Sequence, residues 1–302
     1  MYIIIILVIY FIIYNYCNLE LYTINLNLLN KNTKKKILIL KNNNPDLFYN
    51  KFTVIKVMNG LCNRLQVIYS FLYYAKKFNK KLVVVWEKDD ACPDLYYKFF
   101  KKNKNIIFFD KDYNFKYTYM GYKNIPKICN KIDKISKKEL LSNQLFKLCR
   151  HKNYRKKKFK SRYQTLKLNN YMQNIINKNI GILNANYLAI HVRRTDIVDY
   201  YNRISKDVNI VKYSDYENFL DEYPDYNVYI ATDNLDTQLY FYNKYKDRIK
   251  IIKFIKKTNN MRQTTLKESI IDLYMCINAT YFMGSPRSTF TTFINKNRKY
   301  EL

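Results

Sequence analysis

Glycine is scarce in this chain, four residues in 302, and no stretch has the glycines of a Walker loop. A phosphate site here must therefore draw its donors from elsewhere. The six cysteines include no CxxC or Cys/His metal spacing and are too few to make a disulfide framework at this length. Cys62 and Cys92 each follow one of two strands expected to be neighbours, so a bridge between them and a pair of free buried thiols are both compatible with the sequence. The acidic run Glu87-Lys88-Asp89-Asp90 has no second carboxylate or histidine set nearby in sequence, which a metal cluster needs. Negative charge is also short, 24 acidic against 54 basic residues, a net charge of +30. That excess is spread along the chain together with Asn, Ile and Tyr. A dedicated nucleic-acid binder concentrates its basic residues on one face or tail. The one dense cluster, RHKNYRKKKFKSR, reads as a solvated segment, and no specific nucleic-acid partner is expected.

The chain starts with an apolar stretch, residues 2–14, that lacks the positive flank and small-residue cleavage site of a signal peptide. Residues 1–17 are expected to be an uncleaved signal anchor. This would give a single-pass protein, with the secretory-pathway lumen as the expected side. Residues 18–50, rich in Asn and Lys, read as a stem or linker. The remainder of the chain is long enough for two ordinary domains, at residues 51–180 and 181–302.

The first domain opens with a strand, FTVIKVM, the turn Asn59-Gly60-Leu61-Cys62-Asn63-Arg64, a helix and a second strand, KLVVVW. This βαβ unit places Gly60, Asn63 and a helix N-terminus at the end of its first strand, where unpaired amides favour an anion or a hydroxyl. The plainer reading makes Asn63 a helix N-cap. A strand at IIFF and helices over about 132–148 and 166–178 complete this half.

The second domain has a more regular rhythm. Its first strand, YLAIHV, ends abruptly in Arg193-Arg194-Thr195-Asp196. A helix capped by Ser214 leads to a second strand, NVYIAT, which ends in Asp233-Asn234. IKIIKF is read as a strand, and a helix capped by Thr264 precedes TYFMG, after which Ser285 to Phe290 open the last helix. In open α/β sheets ligands bind beyond the carboxyl ends of the strands. His191 to Asp196, Asp233-Asn234 and Ser285 to Thr289 are therefore expected to line one crevice, with Arg193 and Arg194 pointing into it. A guanidinium there suits a diphosphate, because it stays charged and its donor fork matches anionic oxygens. Ser288 and Thr289 would add hydroxyls and amides to the same phosphates, and Asp233 would accept from ribose or base.

HVRRTD, YIATDN, ESIIDLYMC and GSPRSTFTTF, in that order, resemble the signature series of the fucosyltransferase superfamily that includes α1,6- and protein O-fucosyltransferases. GLCNRL followed by YAKKFNKKLVVVW resembles that superfamily's first strand, loop and helix. The likeness covers roughly residues 56–86 and 187–294. It implies an α/β, GT-B-like architecture, two Rossmann-like domains facing a central cleft, with GDP-fucose in the second domain and no metal or other cofactor. It further implies that Arg193 holds the β-phosphate, that His191 lines the donor pocket and that Asp233 contacts guanosine. Ser288, Thr289 and Phe290 would cradle phosphates and base, with Asn63 beside the transferred sugar. The chain departs from the α1,6 pattern after the arginines: Ile197 stands where Lys is common, and the glutamate expected a few residues on is missing. Asp199 and Asp90 are the nearest substitutes for a general base. The expectation is an inverting transfer to a glycan or protein hydroxyl. The missing base leaves a second reading, a catalytically inactive nucleotide-sugar or glycan-binding module of the same fold.

Overall fold

The computed structural model describes residues 31–116, 119–120, 167–195, 211–250, 254–256 and 264–298. The expected anchor at residues 1–17, the helix over about 132–148 and residues 251–253 of the expected IKIIKF strand lie outside them, and Ile249, Lys250 and Phe254 of that stretch are not in a strand. Among the described residues no helix is long and apolar enough to cross a membrane.

Two parallel sheets organise the chain. The first has strands β1 (Phe52–Lys56), β2 (Lys81–Val85), β3 (Ile106–Phe109) and β4 (Tyr119–Met120) in the order β3-β2-β1-β4. The second has β5 (Tyr187–Val192) between β6 (Asn227–Thr232) and β7 (Tyr281–Gly284), with Val192 opposite Thr232 and His191 opposite Gly284. Near-continuous apolar strands of this kind are buried on both faces. Alternate side chains of each sheet therefore enter different clusters.

On the outer face of the first sheet, Val54, Val83, Val85, Ile107 and Phe109 meet Ile37 of α1 (Lys31–Asn43) and Phe48 of α2 (Pro45–Lys51). On the outer face of the second, Leu188, Ile190, Val192, Val228 and Ile230 meet Tyr216 and Leu220 of α5 (Tyr213–Asp221) and Phe241 of α6 (Leu235–Tyr245). The inner faces share a third cluster. It joins Ile55, Leu82 and Val84 to Ala189, Tyr229 and Phe282 through α3 (Leu61–Lys77), α4 (Asn170–Ile182), α7 (Leu266–Asn278) and α8 (Thr289–Asn297). Tyr69 of α3 and Phe293 of α8 lie 6.0 Å apart across the junction of the halves.

Residues 31–51 are two helices packed on the first sheet, where the sequence suggested a stem. The pattern was unreadable because only Ile37 of α1 is deeply buried, and lysines do part of the covering. Lys34 Nζ lies 5.4 Å from the Phe109 ring centre and Lys41 Nζ lies 5.6 Å from that of Phe115. Their aliphatic stems shield apolar surface while Lys34 Nζ pairs with Asp110 at 3.5 Å and Lys41 Nζ donates to the Tyr113 carbonyl at 2.8 Å.

Helix starts also differ from expectation. α3 begins at Leu61, so Asn63 sits inside its first turn and is not the N-cap. α4 begins at Asn170 because Asn169 Oδ1 accepts from the Met172 amide, and Leu168 is drawn into a bridge with Phe100. α5 is preceded by Lys212, whose amide donates to Asp215, and α7 is capped by Thr265, one residue after Thr264, in a capping box with Glu268. Cys62 and Cys92 are both buried, and no disulfide joins them.

Phe48 is fully buried and its ring stacks on Phe52 at 5.0 Å and on Phe115 at 6.0 Å. Phe48→Ala is expected to destabilise the protein by about 3–5 kcal/mol in urea unfolding. A cost below about 1 kcal/mol would mean that α2 is peripheral to the fold.

Candidate functional site

The carboxyl ends of β5 and β7 meet at one hydroxyl. Ser285 Oγ donates to the His191 carbonyl at 3.0 Å and accepts the Arg193 amide at 2.8 Å, while Tyr216 Oη lies 3.0 Å away. The Ser285 amide also donates to the His191 carbonyl at 2.9 Å. The two residues on either side of Val192 are thereby fixed to the loop after β7.

The pleat then separates the two arginines. Successive side chains of a strand leave on opposite faces. Tyr187, Ala189 and His191 belong to the inner face, and Arg193 continues that alternation at the strand end. Arg194 continues the outer face of Ile190 and Val192. The guanidinium of Arg194 donates to the Val211 carbonyl at 2.6 Å and lies 4.8 Å over the Tyr213 ring, so it secures the outer layer and does not enter the crevice. Arg193 keeps a looser side chain, about one fifth exposed, with Nε 3.9 Å from Asp233.

Asp233 holds the loop after β5. Its Oδ1 accepts the Arg194 amide at 2.9 Å and its Oδ2 accepts the Thr195 hydroxyl at 2.6 Å. Asn234 caps α6, accepting the amide and hydroxyl of Thr237 at 2.8 and 2.9 Å. Ser288 caps α8 through the Phe290 and Thr291 amides at 3.2 and 3.5 Å, and Thr289 is the first residue of that helix.

His191 Nδ1 lies 2.9 Å from Thr291 Oγ1, and its ring centre is 4.7 Å from that of Phe290. Burial, followed by the nearby Arg193 charge, pushes its pKa down to about 3, so the imidazole is neutral at physiological pH. This packing requires Gly284: a Cβ there would sit 2.5 Å from Thr291 Cγ2 and 2.7 Å from its Oγ1. Of the residues expected at the crevice, His191, Arg193, Asp233 and Ser285 are thus linked at the strand ends, and His191 reaches Phe290 at the start of α8, which Ser288 caps. Asp196 and Asp199 lie outside the described residues.

At the carboxyl end of the first sheet lies the loop after β1. The Gly60 carbonyl accepts the amides of Asn63 and Arg64 at 3.0 and 3.2 Å. Asn63 Oδ1 is buried with no hydrogen-bond partner among the described residues. Asp90 is exposed in the turn after β2. Among the described residues no group of three His, Cys, Asp or Glu side chains could hold a metal ion.

Two withdrawn charged residues near the strand ends were missed by sequence reasoning. Asp272 on α7 accepts from Tyr229 Oη at 2.8 Å, and withdrawal from water, with Glu268 and Asp233 nearby, pushes its carboxyl up to about 7. It sat unremarked inside ESIIDLYMC, where an acidic residue on an amphipathic helix looks like a solvated one. Arg64 is 1% exposed at the base of the loop after β1, and its basic type gave no hint of burial.

No family profile matches the sequence, and no curated protein matches it. Solved structures do. NodZ α1,6-fucosyltransferase soaked with GDP-fucose aligns with TM-score 0.51 at 14% identity over 82% of this chain and 92% of its own. POFUT1 in complex with GDP-fucose aligns with TM-score 0.50 at 13% identity over 82% and 93%. The fucosyltransferase NodZ from Bradyrhizobium aligns with TM-score 0.48 at 15% identity over 81% and 92%. The mixed α/β fold with parallel sheets is similar to that of the first two of these fucosyltransferases.

Because the folded pKa of His191 lies below its ordinary 6.5, the unfolded chain takes up a proton that the folded one refuses between roughly pH 6.5 and 3. The stabilisation is complete above pH 6.5 and is lost as pH falls. Relative to His191→Gln, the wild-type protein is expected to lose about 2 kcal/mol of stability between pH 6 and 4.5, read from denaturant midpoints at each pH. Parallel pH profiles of the two proteins would refute the neutral buried imidazole.

Proposed function

We propose that this chain is a glycosyltransferase that takes its sugar from GDP-fucose and moves it to a hydroxyl of a glycan or protein. The observation that carries the reading is Arg193: its backbone is pinned by Ser285 at the end of the central strand, and its guanidinium lies 3.9 Å from Asp233 with its charge felt by His191. The shared fold supports it, since the solved relatives bind GDP-fucose in their crystals.

The chemistry follows from where charge develops. As the bond between the anomeric carbon and the β-phosphate oxygen breaks, negative charge grows on the diphosphate. A guanidinium and helix N-terminal amides held ready stabilise that charge without reorganising. No metal is required for this step. The acceptor hydroxyl would attack the anomeric carbon from the face opposite GDP, inverting it, and give its proton to a carboxylate such as Asp90 or Asp199. His191, neutral and held by Thr291, would line the donor pocket with Phe290, and Asp233 would keep the arginine loop in place beside the guanosine.

A diphosphate clamp does not read a base. Guanine presents adjacent N–H donors, which a carboxylate accepts as a pair, and Asp272 is the withdrawn carboxylate next to Asp233. The apolar N-terminal segment would tether the enzyme to a membrane, facing the secretory-pathway lumen.

Arg193→Lys is expected to fold normally and to lose at least about a hundredfold in turnover of GDP-fucose, since one ammonium cannot replace the fork on a diphosphate. EDTA should leave wild-type turnover unchanged. Asp272→Asn should weaken GDP binding by roughly tenfold or more and narrow the preference for GDP over ADP in calorimetry. Retained turnover in folded Arg193→Lys would overturn the assignment, whereas GDP binding by wild type without any turnover would favour the binding-module reading.

A further inference from the structure

Asparagine is abundant in this chain, yet one stretch alone reads Asn-x-Ser/Thr, Asn278-Ala279-Thr280. Such a sequon is an acceptor for N-linked glycosylation in a chain that enters the secretory lumen. Its place between a helix and a strand suggests burial, and a core has no room for a sugar. The fold, however, treats the three residues differently. Asn278 is the last residue of α7 and its side chain is exposed, with Nδ2 donating to the Tyr274 carbonyl at 2.7 Å. Ala279 is fully buried and already extended, with φ −60° and ψ 146°. Thr280 is half-buried, and its amide donates to the Tyr187 carbonyl at 2.9 Å. The turn out of the helix thus sends the small residue inward and the asparagine outward.

A primary amide carries two hydrogens. The bond to Tyr274 uses one, so the other can be exchanged for a sugar with that bond kept. The place is also far from the crevice. Thr280 meets the first residue of β5, and β7 starts one residue later at Tyr281, so Asn278 stands at the amino edge of the second sheet. His191, Arg193 and Ser285 lie at the carboxyl edge, roughly 20 Å away at about 3.3 Å per residue along β5.

We propose that Asn278 is an N-glycosylation site that takes an oligosaccharide as the chain enters the secretory-pathway lumen. The co-reactant is an oligosaccharide carried on a lipid diphosphate. Nδ2 attacks the anomeric carbon of its first sugar: the N–C bond forms, the C–O bond to the diphosphate breaks and the lipid diphosphate leaves, while Nδ2 gives one proton to a base of the transferring enzyme. Transfer takes place on the extended chain, before Ala279 and Thr280 are buried, and the exposure of Asn278 lets the fold close with the sugar outside. The inference rests on the luminal orientation proposed above and is independent of the donor held in the crevice.

The test uses the full chain made in cultured animal cells, with a flexible C-terminal extension that carries its own Asn-Gly-Thr. Wild type is expected to migrate with two oligosaccharides, one at each acceptor, and both Asn278→Gln and Thr280→Ala with one. Thr280→Ser, which keeps the hydroxyl, should carry two. Enzymatic release of the sugar converts a modified asparagine to aspartate, so mass spectrometry of the released protein should read aspartate at position 278. GDP affinity by calorimetry should be the same for wild type and Asn278→Gln, as the distance from the crevice requires. A modified extension beside a bare Asn278 would overturn the site and leave the luminal orientation standing, whereas two bare acceptors would overturn both. A wild-type protein that carries both oligosaccharides and binds no GDP would refute the transferase reading and leave the glycosylation site intact.

Discussion

Ser285 holds the end of β5 from both sides, donating to the carbonyl of one residue and accepting the amide two residues on. Everything distinctive at the cleft depends on this. With the His191 and Arg193 backbone fixed to the β7 loop, the strand cannot twist away at its end, and the pleat continues one step past the last ladder bond. That extra step puts Arg193 on the inner face with His191 and sends Arg194 to the outer helices. Two identical neighbours thus acquire different jobs from the geometry of the backbone alone.

The neutral imidazole of His191 arises from the same constraint. Its ring is trapped between Thr291 and Phe290, and it can be trapped there only because Gly284 lets α8 approach the end of β7. A protonated ring in that place would face Arg193 without water to screen the repulsion. The cation of the site is left to the arginine, whose charge does not titrate.

Much of this was legible in the sequence because parallel strands advertise themselves. YLAIHV, NVYIAT and KLVVVW are apolar runs that stop at polar residues, and buried strands have few other ways to be written. Of the polar residues after them, Arg193, Asp233 and Ser285 are tied to one another at the strand ends. Their division of labour was not readable, since spacing cannot say that Arg194 turns outward to Tyr213 or that Asn234 is spent on capping α6. Asp272 and Arg64 were missed for a common reason. Both are charged residues that a pattern reader assigns to solvent, and their burial arises from long-range contacts, with Tyr229 in one case and with the loop after β2 in the other. α1 failed in the opposite sense, because lysine stems cover surface that a search for apolar periodicity expects leucines to cover.

The middle layer of helices has a consequence for how the molecule comes apart. α3 and α8 belong to different halves, yet Tyr69 and Phe293 meet inside one continuous apolar cluster that reaches both sheets. Neither half can lose its helices without uncovering the inner strands of the other. The halves are therefore expected to unfold as a single cooperative unit.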